Sequence, residues 1–157
     1  IVPVSVSYEW EPCDILKAME LYVSTIKTYV KTQNEDLHSI LTGILQTKGR
    51  VHFEICDPIR EEELLVFKDL TNGDYHKQVA KLLDSRIHNA YRLYPNNYIA
   101  YDKRFGGSKY RDHYTDVEKE LFEQHVNVLD TYPEYDKEQL EEILLDIYSN
   151  PVVNKFN

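Results

Sequence analysis

Ile1-Val2-Pro3-Val4-Ser5-Val6-Ser7-Tyr8 opens the chain inside a β-branched, alternating run, without Met, and that run reads as a strand. A second alternating stretch, Arg50-Val51-His52-Phe53-Glu54-Ile55-Cys56, puts Val51, Phe53 and Ile55 on one face before Asp57-Pro58 turns it off. A strand needs neighbours, and an apolar one at the start of a chain implies sheet partners upstream. The expectation is the C-terminal part of something larger, able to self-associate through its N-terminal strand.

The remaining periodicities are helical. Ile15, Met19, Tyr22, Ile26 and Tyr29/Val30 make a stripe from about Cys13 to Thr32, with Asp14 as N-cap. Leu37, Ile40, Leu41, Ile44 and Leu45 make a second, which Gly49 follows. Glu61-Glu62-Glu63-Leu64-Leu65-Val66-Phe67 reads as a short helix. Thr71 to Asp74 caps a helix that Pro95 must stop, and Thr115 with Glu118 forms a capping box. Asp136 opens a last helix expected to end before Pro151, while no period holds between Asn96 and Tyr114. The predicted fold class is α/β, or α+β for a fragment: amphipathic helices packed on a small sheet that includes the N-terminal strand and the strand near 50–56. With no repeat and no Gly/Ser linker, residues 1–157 read as one compact unit.

Composition narrows the function. The 157 residues carry 18 Lys plus Arg against 27 Asp plus Glu, a net charge of −9, which disfavours a phosphate backbone as partner and argues against nucleic acid. Cys13 and Cys56 have no CxxC spacing, as suits a reduced, cytoplasmic protein. No apolar run is long enough to span a bilayer. Signatures of dinucleotide and P-loop folds, zincins and α/β-hydrolases are absent, and no cofactor or metal is expected. His113 with Asp116 lacks a third metal ligand. Trp10 and Cys56 read as packing residues, and the thirteen tyrosines fall mostly on helix stripes.

His-x-x-x-x-Asp occurs twice, at His52/Asp57 and His125/Asp130. That spacing marks a general-base dyad in which the aspartate orients the imidazole. Geometry opposes both copies. Five residues along a strand are roughly 16 Å apart on opposite faces, and in a helix the same offset is about 140° around and 7.5 Å along the axis. Neither pair can meet.

Three stretches carry a resemblance. Ile1-Val2-Pro3-Val4-Ser5-Val6 resembles the proline-containing strand that closes the core of the 1-acylglycerol-3-phosphate acyltransferase family. Gly49 through Ile59 looks like a later family segment ending in Pro-Ile, and Ile87 through Asp102, with Tyr94-Pro95-Asn96-Asn97-Tyr98, resembles the tail of one bacterial branch. The resemblance implies an α/β glycerolipid acyltransferase that moves a fatty acyl group from a thioester, acyl-CoA or acyl-carrier protein, to a lysophospholipid or glycerol phosphate at the cytoplasmic membrane face. The family's dyad and its Gly/Arg phosphate-binding motif precede the proline strand. Only Pro3 is therefore carried over, as a backbone-shaping position near the acceptor pocket; no catalytic residue transfers, and the chain alone is expected to be inactive.

One further stretch is a candidate site. Lys103-Arg104-Phe105-Gly106-Gly107-Ser108-Lys109-Tyr110-Arg111 gathers four cations in an acidic chain, a pattern that can hold a substrate phosphate or anionic headgroups in peripheral membrane contact. The plainer reading is a solvated loop whose charges Asp102 and Asp112 partly neutralise. The alternatives to the acyltransferase reading are a non-catalytic interaction or regulatory module and a small enzyme using His52 or His113 with a carboxylate.

Overall fold

The computed structural model describes residues 1–156. The chain is mostly helical, with one two-stranded sheet. β1 (Val4–Tyr8) pairs antiparallel with β2 (Val51–Ile55), Val6 opposite Phe53. Between them run α1 (Asp14–Ile26) and α2 (Glu35–Leu45). After β2 come α3 (Glu61–Leu65), α4 (Asn72–Ala90), α5 (Pro95–Arg104), α6 (Asp116–Val126) and α7 (Lys137–Phe156). Short 3₁₀ turns at Arg111–His113 and Asn127–Thr131 flank α6.

The core belongs to the C-terminal half. Ile99 and Ala100 of α5, Phe122 and Val126 of α6, and Leu140, Leu144 and Tyr148 of α7 close around Ala18 of α1. A fully buried leucine contributes about 1.5–3 kcal/mol relative to an exposed one, so this layer sets the stability. The capping box holds as expected: Thr115 N–H donates to Glu118 Oε2 at 2.8 Å and Glu118 N–H to Thr115 Oγ1 at 3.2 Å.

Four helical expectations need correction. α1 stops at Ile26, so Tyr29 and Val30 lie beyond it. Its N-cap is Cys13, in the left-handed region at φ 59°, and Asp14 is the first helical residue. Pro95 does more than end α4: it sits at the first position of α5, where its missing N–H is unneeded and its fixed φ suits the helix. That helix occupies part of the stretch that showed no period, because its buried face is made of Asn96, Asn97, Ile99, Ala100 and Asp102, too polar for a hydrophobic stripe. Finally, α7 runs through Pro151. Proline leaves the Ile147 carbonyl, four residues back, without its usual donor, and the turn beside it is held by the Asn97 side-chain N–H on the Tyr148 carbonyl at 2.9 Å and by the burial of Tyr148, Ser149 and Val152.

The ribbon is inverted in polarity. Ser5 and Ser7 are buried, whereas Val4, Phe53 and Ile55 are 50%, 66% and 74% exposed. Cross-strand partners share a face, so Val4, Val6, Tyr8, Val51, Phe53 and Ile55 form one apolar surface. The connection between α4 and α5 lies on the serine side: Ser7 Oγ accepts Arg92 N–H at 3.0 Å.

Candidate functional site

Three places claim attention. The first is the junction of the segments Ile1–Val6, Gly49–Ile59 and Ile87–Asp102. Pro3 is buried, and its carbonyl accepts Cys56 N–H at 3.0 Å. Glu9, just past β1, takes Arg50 Nη2 at 2.7 Å and Arg50 N–H at 2.8 Å. The Arg50 guanidinium holds the Glu9 carboxyl below its ordinary value, against the opposing effect of burial. Arg50 also lies over the Tyr94 ring at 5.1 Å, and Asn96 Nδ2 donates to the Glu9 carbonyl at 2.6 Å. Gly49 makes this corner possible: its φ is +61°, and a Cβ there would fall 2.4 Å from Glu9 Oε2.

The second place is the basic segment. Lys103 and Arg104 stand on the last turn of α5 rather than in a loop. Lys103 pairs with Glu141 at 3.1 Å, and Arg104 with Asp146 at 2.8 Å and Glu142 at 3.4 Å, all on α7. Arg111 pairs with Asp116 and donates to the Tyr114 carbonyl. Lys109, which has no carboxylate in ion-pair range among the described residues, sits over the Tyr101 and Tyr110 rings at 5.5 and 5.0 Å. Asp102 does not neutralise its cationic neighbours. It is buried and accepts Tyr110 N–H and the Tyr114 hydroxyl, which shapes the turn after α5. None of the described hydrogen bonds, ion pairs or clefts joins Pro3 to any of the four cations.

The third place is one that sequence spacing misses. His125 Nε2 and Asp14 Oδ2 stand 2.5 Å apart, although 111 residues separate them. Asp14 is 1% exposed and also accepts the Tyr148 hydroxyl at 2.7 Å, Gln46 Nε2 at 3.2 Å and Ile15 N–H at 2.8 Å. Burial pushes the Asp14 carboxyl up, but His125, Tyr148 and Ile15 more than reverse this and hold it below its ordinary value. Burial and the Asp14 charge push the Tyr148 phenol far upward, so it stays protonated. Trp10 meets the His125 ring edge-on at 4.9 Å. His125 forms one wall of an open cleft of about 500 Å³ with Trp10, Gln46, Thr47, Leu121 and Gln124. Since a carboxylate only accepts, the imidazole donates through Nε2–H, and in the neutral ring Nδ1 is left as an acceptor.

The expected histidines behave otherwise. His52 lies 3.1 Å from Glu54 on the same strand, away from Asp57, and His113 stacks on Tyr98 at 4.3 Å. Asp130 pairs with Lys137 and not with His125. His125 thus meets a carboxylate outside the His-x-x-x-x-Asp spacing, because α1, α6 and α7 converge beside the cleft. The arrangement can orient an imidazole. The residues lining the cleft provide one hydroxyl, that of Thr47, and no thiol or carboxylate.

No family model, curated protein or solved structure matches the chain. No helix among the described residues is long and apolar enough to cross a membrane.

Proposed function

We propose that the chain is the C-terminal portion of a glycerolipid acyltransferase, in which it frames the acceptor pocket while the catalytic dyad lies upstream. One observation carries the reading. The stretches that bear the resemblance, distant in sequence, gather in one place: β1 pairs with β2, Arg50 covers Tyr94, and Ser7 and Glu9, just past the first stretch, take bonds from Arg92 and Asn96 of the third. A sheet of only two strands is marginal by itself, and further strands of a larger sheet would complete it. The His125–Asp14 pair serves here as a tie between α1, α6 and α7, since His125 of α6 and the Tyr148 hydroxyl of α7 both reach the carboxylate that opens α1.

The proposal extends to partners: acyl-CoA or acyl-carrier protein as donor, a lysophospholipid or glycerol phosphate as acceptor, and peripheral contact with the cytoplasmic membrane face through the segment around Lys109. The test is transfer of a labelled acyl group from each thioester to lysophosphatidate and to glycerol 3-phosphate. The full-length parent is expected to turn over and the 157-residue chain to be inert. A parent that transfers nothing overturns the reading. So does turnover by the chain alone that His125→Ala abolishes.

A second reading, a non-catalytic interaction module, is favoured by α2. It buries no residue, and Leu37, Ile40, Ile44 and Leu45 are exposed along it, a surface that fits a partner helix.

A further inference from the structure

The free edge of β2 is self-complementary. Cys56 N–H donates to the Pro3 carbonyl and Glu9 N–H to the Arg50 carbonyl. In an antiparallel pair, residues that exchange hydrogen bonds alternate with residues that do not. With Val6 opposite Phe53 in the register, His52 and Glu54 therefore turn their backbone groups toward β1. Val51, Phe53 and Ile55 turn theirs away. No described hydrogen bond satisfies these outward groups, and no helix, loop, bulge or proline protects the edge. Unprotected edges of this kind are templates for another strand.

We infer that β2 pairs antiparallel with β2 of a second copy about a two-fold axis through Phe53, making a four-stranded sheet with order β1-β2-β2-β1. Only some registers satisfy the outward groups. An axis at Phe53 makes it a hydrogen-bonded pair with itself and sets Val51 against Ile55 of the other copy, so each outward N–H and C=O finds a partner. An axis between two residues would set outward groups against inward ones, and an axis at His52 or Glu54 would leave Ile55 or Val51 facing a residue beyond β2 and set two His52 or two Glu54 side chains against each other. The Phe53 register instead sets His52 of each copy against Glu54 of the other, a complementary pairing on the serine side. On the opposite side the exposed rows Val51, Phe53 and Ile55 become adjacent, which doubles the continuous apolar face and covers part of each row. A second copy is favoured over an unrelated strand because the complementarity is symmetric, as an isologous interface requires. The inference does not depend on the acyltransferase reading.

Sedimentation equilibrium of the chain over a wide concentration range, with residue-resolved hydrogen exchange, tests it. The expected result is a monomer–dimer equilibrium in which the Val51, Phe53 and Ile55 amides gain protection as concentration rises. The His52 and Glu54 amides should be protected throughout by β1. Phe53→Pro removes an outward N–H that β1 does not use, as an edge strand tolerates, and should weaken dimerisation at least about tenfold while leaving the His52 and Glu54 amides protected. His52→Glu alone should also weaken it by opposing two carboxylates, and adding Glu54→Lys should restore it. A monomer at every concentration overturns the inference. So does a dimer indifferent to Phe53→Pro, or one in which the three outward amides exchange at the monomer's rate; such a dimer would use another surface, such as the α2 stripe.

Discussion

Asp14→Ala is the most informative perturbation, since it removes the acceptor on which four donors from different parts of the chain converge. The carboxylate is 1% exposed and takes bonds from Ile15, Gln46, His125 and Tyr148. Removing one partner of a buried, hydrogen-bonded charge costs about 3–5 kcal/mol, because the other polar groups are left desolvated. That is a large part of the ~5–15 kcal/mol that holds a domain together. Asp14→Asn keeps the shape and one acceptor oxygen but sets an amide N–H against the remaining donors, and should cost about 2 kcal/mol. Urea unfolding followed by tryptophan fluorescence suits the measurement, because Trp10 touches the His125 ring. The pH dependence gives an independent check. The folded state holds Asp14 below its ordinary value of 3.8, so its contribution is fully present above the unfolded value and is lost as pH falls through the folded one. The difference in stability between wild type and Asp14→Asn should therefore be widest near neutrality and narrow in acid. A loss below about 1 kcal/mol for Asp14→Ala, or a difference that widens in acid, would refute the view that this carboxylate ties the helices together.

Tyr148→Phe should cost about 1–2 kcal/mol, because it deprives both Asp14 and the Glu11 N–H of the hydroxyl. Combined with Asp14→Asn, it should cost less than the separate losses together, as a double-mutant cycle can read. Since the Tyr148 phenol is held above its ordinary value of 10, wild type should lose stability as pH rises past that value, and Tyr148→Phe should lose less. Leu144→Ala, at a fully buried α7 position, should cost about 2–5 kcal/mol in thermal or chemical unfolding. Gly49→Ala meets Glu9 Oε2 and requires a positive φ; circular dichroism melts should show a loss of more than about 1 kcal/mol. Binding to anionic vesicles in low salt should fall when Lys109→Gln is introduced and change little for Arg104→Gln, whose guanidinium is already engaged by α7. Equal effects would refute that division.

The two strands, the capping box at Thr115 and the second helix stripe were legible because each rests on a local rule: alternation, a three-residue cap or a helical period. α5 was hidden because its buried face carries two asparagines and an aspartate whose partners lie far along the chain, such as the Tyr148 carbonyl for Asn97. Pro151 misled because a proline removes only one N–H, and α7 carries on past it with Val152 fully buried. Alternation showed that Val51, Phe53 and Ile55 share a face, yet it could not say that this face is the exposed one, because a period of two is silent about which side is covered. The His125–Asp14 pair had no local signature at all. Trp10, Asp14 and His125 were visible singly, and only the convergence of α1, α6 and α7 makes them neighbours. For the basic segment, charge density was legible but charge pairing was not, since Glu141, Glu142 and Asp146 answer from a helix that begins more than thirty residues later.

The lopsided placement of the core has a consequence for how the chain comes apart. α2, α3 and α4 contain no buried residue, and α2 is held to the opening of α1 by bonds such as Cys13 N–H to Gln46 Oε1. Such a region opens without disturbing the packing around Phe122 and Leu144, so unfolding should proceed in stages rather than in one step. Limited proteolysis should cut first between residues 27 and 90, and the longest-lived pieces should be α1 and the stretch from α5 to α7, still held together by the packing around Ala18 and the bonds to Asp14.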